Sequence, residues 1–549
     1  MNQAIHEMAN SITMPVFGLW VTSKTLDILS SVLTASLGGL LCIHALKRLV
    51  TPRASIYISA IGKYIMKRIR AWEYLIHGQS IIREGFLKSN GQPYEVFAPD
   101  TRYVFVSSPK YIKELDSAPD TVLSLQAASK QMLQPKYTMS GFNWFDRRGT
   151  EGVGFIKALR TMLTNNLPQV LPLLGVVIRT RTAELLDKKP IVTGTTKHIS
   201  IYSMMVKLVV LSNAVSFFGE DLAKNENFMA AALQYIEQTL ISAEIVRLIP
   251  KFLAPLVGGI IGLRLNAQEN VFNTLLPIAE RRVLERGMKR LGHSVPYHVG
   301  LHQARESPKL IEKADCIQWI METSPRENPW SAKRVVHELM AIWFGSVHAV
   351  STTVTFAIQD LCLHPGYVGP LRRELANEYT SFTQTGRGLP LLDSFIKESA
   401  RLTPVESQST RRAAIQPFTF SNGTRLEVGD WACTPVRDIM QDSQFYPEPH
   451  QFNGFRFVDP ELASRAEDIQ PLQPKPSKLT DADNTFHVWG TGRMVCPGRF
   501  YAAAVMKVIM GQMIMQYDFD LVEKNAPRRL CWRSTILPKH STVLAVTPV

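Results

Sequence analysis

Trp489-Gly490-Thr491-Gly492-Arg493-Met494-Val495-Cys496-Pro497-Gly498-Arg499-Phe500 sets a single cysteine on a glycine-bounded loop where a helical pattern begins. Glycines at 492 and 498 allow positive φ and close backbone approach, so a flat macrocycle can lie against the loop, and the amides after Cys496 can point at its sulfur. A thiolate presented this way suits haem iron, because as an axial ligand it pushes electron density onto the metal and favours O–O cleavage. The plainer alternative, a small cysteine packed as a hydrophobe, is the commoner fate of a lone Cys.

Two upstream stretches bear on the choice. Lys397-Glu398-Ser399-Ala400-Arg401-Leu402 places Glu398 and Arg401 at i, i+3 on a helix, by itself an ordinary ion pair. Phe445-Tyr446-Pro447-Glu448-Pro449-His450-Gln451-Phe452 is followed by Arg456-Phe457. In order and spacing, these stretches and the cysteine loop resemble the cytochrome P-450 (haem-thiolate monooxygenase) family. The resemblance implies a mainly α fold with small β-sheets and haem b held by the Cys496 thiolate. It also implies a Glu398–Arg401–Arg456 cluster clamping the meander behind the loop, where bidentate guanidinium geometry explains Arg at both positions.

At 549 residues the usual domain length suggests three or four domains. The motifs argue otherwise, since those of the last third must converge on one cofactor; a single catalytic domain over 51–549 is expected. An apolar fraction of 45% is ample for its core. Lys plus Arg exceed Asp plus Glu by 14, which suits anionic lipid or an acidic protein; no nucleic-acid module is present, so nucleic acid is not an expected partner. Cys42, Cys316, Cys362, Cys433, Cys496 and Cys531 form no CxxC pair or regular spacing, which argues against a zinc site or disulfide framework and fits a reducing compartment. Asn422-Gly423-Thr424 matches a glycosylation acceptor, a false positive on a cytosolic domain.

Residues 28–46, ILSSVLTASLGGLLCIHAL, are about long enough to cross a hydrocarbon core and are followed by Lys47, Arg48 and Arg53. They predict a membrane anchor within 1–50, single-pass, with the body of the chain in the cytosol. A cleaved signal peptide would need a small-residue site where His44-Ala45-Leu46-Lys47-Arg48 stands. By resemblance the membrane is that of the endoplasmic reticulum.

Beyond the anchor, runs at 94–98 and 103–107 separated by Pro99-Asp100 predict a hairpin. Apolar periodicity predicts helices over 155–167 and 201–218, and a long central helix over 333–363 interrupted only by Gly345. Strands are expected at 418–420 and 542–546, and a surface loop at 467–483. Residues 246–265 are apolar but broken by Pro250, Pro255, Gly258 and Gly259. They read equally as core packing or as a loop that dips into the bilayer surface, and their position matches the family's membrane-contacting region.

Trp343-Phe344-Gly345-Ser346-Val347-His348-Ala349-Val350-Ser351-Thr352-Thr353 resembles the family's oxygen-binding helix. Gly345 and Ser346 supply small residues, and His348 holds the family's acidic position. Ala349 stands where the family usually has threonine, so protons are expected by another route, ordered water held by Ser346 and His348 or a hydroxyl of the substrate; Ser346 and His348 become the candidate catalytic residues, the histidine for its ordinary pKa near 6.5. A hydrogen-bonded core histidine is the alternative.

Haem propionates need cations, and the family's usual arginine before the cysteine is Met494 here. Arg493, Arg160, and Arg411 or Arg412 are the candidates, with Ile156 where the family has a tryptophan before Arg160. Gly490-Thr491-Gly492 lacks the rest of a dinucleotide fingerprint. The resemblance therefore implies electrons from an NADPH-dependent flavin reductase, O2 as co-substrate, and membrane lipid as surroundings. Substrate contacts are expected in residues 124–152, around Phe252, near Phe344, and in 403–409 and 534–538, whose mixture suits a bulky lipophilic small molecule. The wording of 389–398 and 493–500 looks like fungal enzymes that oxidise terpenoid or polyketide-derived secondary metabolites. A haem-thiolate isomerase or dehydratase independent of NADPH, and a non-enzymatic haem- or lipid-binding membrane protein, are the alternatives.

Overall fold

The computed structural model describes residues 52–139, 154–292, 315–325, 327–463 and 476–549; at 52–67, 154–155 and 462–463 it describes the backbone alone. The proposed span at 28–46 lies outside the described residues.

Among the described residues, thirteen helices of two turns or more run in chain order: α1 Pro52–Ser89, α2 Pro109–Ser117, α3 Leu125–Leu133, α4 Leu167–Asp187, α5 Ile201–Phe218, α6 Glu226–Leu248, α7 Ala254–Gly262, α8 Asn266–Arg290, α9 Cys316–Thr323, α10 Ala332–Leu363, α11 Val368–Thr385, α12 Pro390–Leu402 and α13 Arg499–Gln516. The periodicity expected over 201–218 and 333–363 is α5 and α10. Ser331 caps α10, its hydroxyl accepting from the Arg334 amide. α10 runs through the centre, against α5, α8, α9, α12 and α13. Such a helix needs apolar residues on most of its faces.

The strands are β1 Tyr94–Phe97, β2 Arg102–Phe105, β3 Leu123–Ser124, β4 Ile191–Thr193, β5 Thr196–Ser200, β6 Ser409–Ala414, β7 Phe418–Thr419, β8 Arg425–Leu426, β9 Trp431–Thr434, β10 Tyr517–Leu521, β11 Arg529–Trp532, β12 Thr535–Pro538 and β13 Val543–Pro548. They form sheets of order β1-β2-β9-β6-β3 and β10-β13-β5-β4 and the hairpins β11-β12 and β7-β8. The 94–107 hairpin is β1–β2, antiparallel with Tyr94 opposite Phe105. The fold is mainly helical with small sheets.

One expectation needs correction, and one stretch that read two ways resolves. The pattern over 155–167 is not one α-helix: Gly154–Lys157 passes into a π-helical turn at Ala158–Leu163, a wider winding that often occurs at functional sites. The apolar stretch at 246–265, read equally as core or as membrane-facing, is buried at its ends, Val246 and Leu265, and largely open between them. α6 ends at Leu248, α7 follows, and Phe252, Leu256, Ile260 and Leu263 are exposed while Gly258 alone in α7 is buried. Pro255 fits the first turn of α7, and a side chain at Gly258 would strike the Tyr137 ring at 2.8 Å.

Candidate functional site

The cysteine loop folds back on itself. The Cys496 amide donates to the Trp489 carbonyl at 2.8 Å, and the Trp489 indole donates to the Leu479 carbonyl at 2.7 Å. The turn is made by Gly490 and Gly492, with φ of 82° and 59°. Gly492 also admits Asp116, whose carboxyl carbon would lie 2.7 Å from any Cβ there. Gly498, expected to share this freedom, instead has φ of −89° and caps α13. Its role is space, since a Cβ at 498 would meet no protein atom within 4 Å.

The amides of Gly498 and Arg499 do point at the sulfur. Burial pushes the Cys496 thiol above its ordinary value, against those amides and the Arg499 charge. Arg499 is anchored by the Thr480 and Cys496 carbonyls at 2.9 and 3.1 Å.

Behind the loop, Glu398, Arg401 and Arg456 form a cluster with side chains closed to solvent. Arg401 grips Glu398 through Nε and Nη2 at 2.7 and 2.9 Å, and Arg456 Nε reaches both carboxylate oxygens at 3.1 Å. Further guanidinium hydrogens go to main-chain carbonyls of Met440, Pro447, Glu448, Pro449 and Gln451. Five donors in one plane are what only arginine supplies.

One cavity of about 790 Å³ joins this loop to the central helix. Its lining includes Cys496, Gly498, Gly345, Ser346, His348 and Ala349. Gly345 and Ala349, one turn apart, are the accessible positions of a buried helix segment because they face the cavity. An added Cβ at Gly345 meets no protein atom within 4 Å. A sulfur on one wall, a small-residue helix face and open space at both glycines fit a flat iron macrocycle.

Ser346 donates to the Trp343 carbonyl at 2.9 Å and accepts from Asn213 at 3.1 Å. Asn213 in turn accepts from the Tyr501 hydroxyl at 3.1 Å. His348 Nδ1 lies 3.4 Å from the Tyr202 hydroxyl. Burial pushes this imidazole down to about 4, so it rests neutral near pH 7. Thr353 lines the cavity, but its hydroxyl donates to the Ala349 carbonyl at 2.9 Å. The sequence offered no signal for Tyr202, Asn213 or Tyr501, which come from helices far away in the chain.

Arg411 and Arg412, on β6, both line the cavity. Arg411 pairs with Glu406 at 2.8 Å; burial pushes its guanidinium down, but Glu406 together with Cys433, Tyr103 and Tyr74 holds it above the ordinary value. Arg412 is 3% exposed with its nearest carboxylate, Asp116, at 3.6 Å, and burial pushes it down to about 10. A cation so poorly compensated is suited to an incoming carboxylate. Arg493 points elsewhere, to the Ala118 carbonyl and to Asp120 at 2.9 Å. Arg160 is exposed on the π-helical turn and is outside the lining. Of the residues expected to hold the cofactor, Cys496, Arg411 and Arg412 border the cavity, and Arg160 and Arg493 do not.

Comparison with known proteins agrees with this geometry. The family model described as Cytochrome P450 matches residues 86–545. The cytochrome P450 monooxygenase olcJ of Penicillium canescens is 28% identical over 477 residues, 85% of this chain and 83% of that protein. The cytochrome P450 monooxygenase paxP of Penicillium paxilli is 26% identical, covering 86% and 85%. Among solved structures, the retinoic acid-bound cyanobacterial CYP120A1 superposes with a TM-score of 0.57 at 17% identity, over 87% of this chain and 97% of that one, a likeness of fold.

Proposed function

Because this chain belongs to the cytochrome P450 family, we propose that it is a membrane-associated monooxygenase that inserts one oxygen atom of O2 into a lipophilic small molecule. The observation that carries this reading is that Cys496 and the Gly345/Ala349 face of α10 line one cavity. The substrate class we propose is a terpenoid or polyketide-derived fungal secondary metabolite, supported by similarity to Penicillium monooxygenases. The site of action we propose is the endoplasmic reticulum membrane, with a single span at 28–46, the exposed apolar residues of 252–263 against lipid and the catalytic domain in the cytosol. Electrons come from an NADPH-dependent flavin reductase that meets the basic surface.

Haem b, when bound, supplies the oxygen-activating chemistry of this family. The chain's own part is to hold and shape. Cys496 offers its sulfur, steadied by the Gly498 and Arg499 amides. The Glu398 cluster keeps the meander from shifting, and Arg411 and Arg412, which line the cavity, would hold the propionates. Gly345 and Ala349 leave room for a diatomic ligand, and Ala349 brings no hydroxyl. His348 therefore passes the proton, through the Tyr202 hydroxyl 3.4 Å from Nδ1, and its low pKa returns it to neutral after each transfer. Ala349 also supports a second reading, an isomerase or dehydratase acting without NADPH.

Microsomes carrying the protein and reductase, given candidate terpenoids and labelled dioxygen, separate the readings. NADPH-dependent product with one labelled oxygen is expected. Unlabelled product formed without NADPH favours the isomerase.

A further inference from the structure

Outside the cavity, three arginines from distant parts of the chain meet on one side of α1. Gln79 and Arg83 stand on successive turns of that helix, past its kink at His77. β11 packs against the same helix, and Arg529 and Cys531, two residues apart on the strand, share one of its faces. Arg437, in the short helix Val436–Met440, donates to the Gln79 side-chain oxygen at 3.1 Å, and the Gln79 side chain also lies against the Cys531 thiol. Gln79 is thus the common floor under Arg83, Arg437 and Arg529.

These charges are poorly compensated. Among the described residues none of the three guanidiniums is in a salt bridge, while Arg102, Arg247 and Arg533 on neighbouring elements each hold a carboxylate. Burial pushes Arg437 below its ordinary value, and Arg529 and Arg83 repel it in the same direction against Asp438 and Cys531. Asp438 is one carboxylate set against three guanidiniums. Arg83 and Arg529 are exposed and Arg437 is half-buried, so the surplus positive charge faces solvent and is open to an anion. Guanidinium forks match phosphate oxygens in pairs.

The surroundings favour a phosphate carried on a lipid. Ile76 and Leu87 on α1 and Leu530 on β11 are exposed and apolar. At the far end of β11 the Arg533 amide donates to the Leu75 carbonyl of α1 at 2.7 Å, and Arg533 shares Asp100 with Arg247 of α6. The exposed apolar side chains of 252–263 follow Arg247 directly in the chain. Arg529 stands four residues before Arg533, about 13 Å along the strand. The arginines therefore lie close to the junction from which the lipid-facing stretch departs, as phosphates lie beside the apolar layer of a bilayer.

We propose that Arg83, Arg437 and Arg529 bind the phosphate of an anionic phospholipid at the membrane surface; this rests on the membrane-associated reading. The test titrates the full-length, haem-loaded chain in nonionic detergent with dihexanoyl phosphatidic acid, dihexanoyl phosphatidylcholine and inorganic phosphate, and reads affinity by calorimetry. Phosphatidic acid should bind about tenfold tighter than either of the others, and the margin should shrink as salt is raised. Arg83→Gln with Arg529→Gln, both at exposed positions, should erase the margin over phosphatidylcholine without moving the thermal midpoint. Equal affinity for the two lipids, inorganic phosphate binding as tightly as phosphatidic acid, no binding of phosphatidic acid, or a margin that survives the double substitution overturns the assignment. Should the double variant not fold, the wild-type ranking still decides. Pelleting of the same chain with microsomes and its reduced carbon-monoxide spectrum are read separately. A chain that pellets and keeps the thiolate band but shows no headgroup preference fails here alone.

Discussion

The two sides of the cavity are built on opposite principles. Behind Cys496, the carboxylate of Glu398 and both guanidiniums are closed to solvent and bonded to one another or to main-chain carbonyls. Across the cavity, Ala349 brings no hydroxyl, and 252–263 shows apolar side chains to the outside. The first side has one low-energy arrangement, because any displaced group would be stranded without partner or water. The second leaves space and apolar surface unused, which is what a ligand or a lipid can take up. The difference teaches that the support behind Cys496 is specified by internal satisfaction, and the substrate side by what it leaves unsatisfied.

Glu398→Gln attacks the satisfied side and should have the largest effect of these changes. It leaves two buried guanidiniums without their carboxylate, a loss on the order of 3–5 kcal/mol, so the yield of haem-loaded protein should fall to near nothing. Normal haem content in this variant would remove the contrast. On the open side, His348→Ala should spare folding and haem content but lower product formed per NADPH consumed about tenfold or more. Unchanged coupling would return His348 to the role of a core histidine.

Leu256→Glu with Leu263→Glu should weaken liposome partitioning of a chain beginning at residue 52 by about tenfold per side chain, without changing its thermal midpoint. A matching loss of stability would mean these side chains are packed after all.

The smallest effect concerns Glu237 on α6, whose carboxyl is pushed by burial up to about 7. A carboxylate raised above its unfolded value costs the folded state when ionised; the cost grows as pH rises through 4.5 to 7 and vanishes in acid. Glu237→Gln should therefore raise the thermal midpoint by roughly 1–2 °C at pH 8.5 and leave it unchanged at pH 4. The reverse order would mean that the folded state binds the ionised form.

This contrast also explains what could be read from the sequence. Glu398 with Arg401 is by itself an ordinary ion pair, and it was the resemblance of this pair, Arg456 and the cysteine loop to a known family that made the satisfied side legible, whereas α5, α10 and the β1–β2 hairpin were legible from their periodicity. The open side is assembled from distant pieces. Tyr202 meets His348 across 146 residues and Arg533 meets Asp100 across 433, and no spacing rule reaches so far. Gly498 was misjudged because a glycine in sequence shows only permission, and here it provides room for a neighbour while Gly490 makes the turn. The stretch at 246–265 was ambiguous because an apolar segment broken by proline looks the same whether core or lipid covers it.

The central claim is that Cys496 presents its sulfur to iron at the floor of the shared cavity. The most direct test is the carbon-monoxide difference spectrum of the reduced wild-type protein beside that of Cys496→Ser. The account predicts the red-shifted Soret band of thiolate ligation in the first and its complete loss in the second; the same band in both would contradict it.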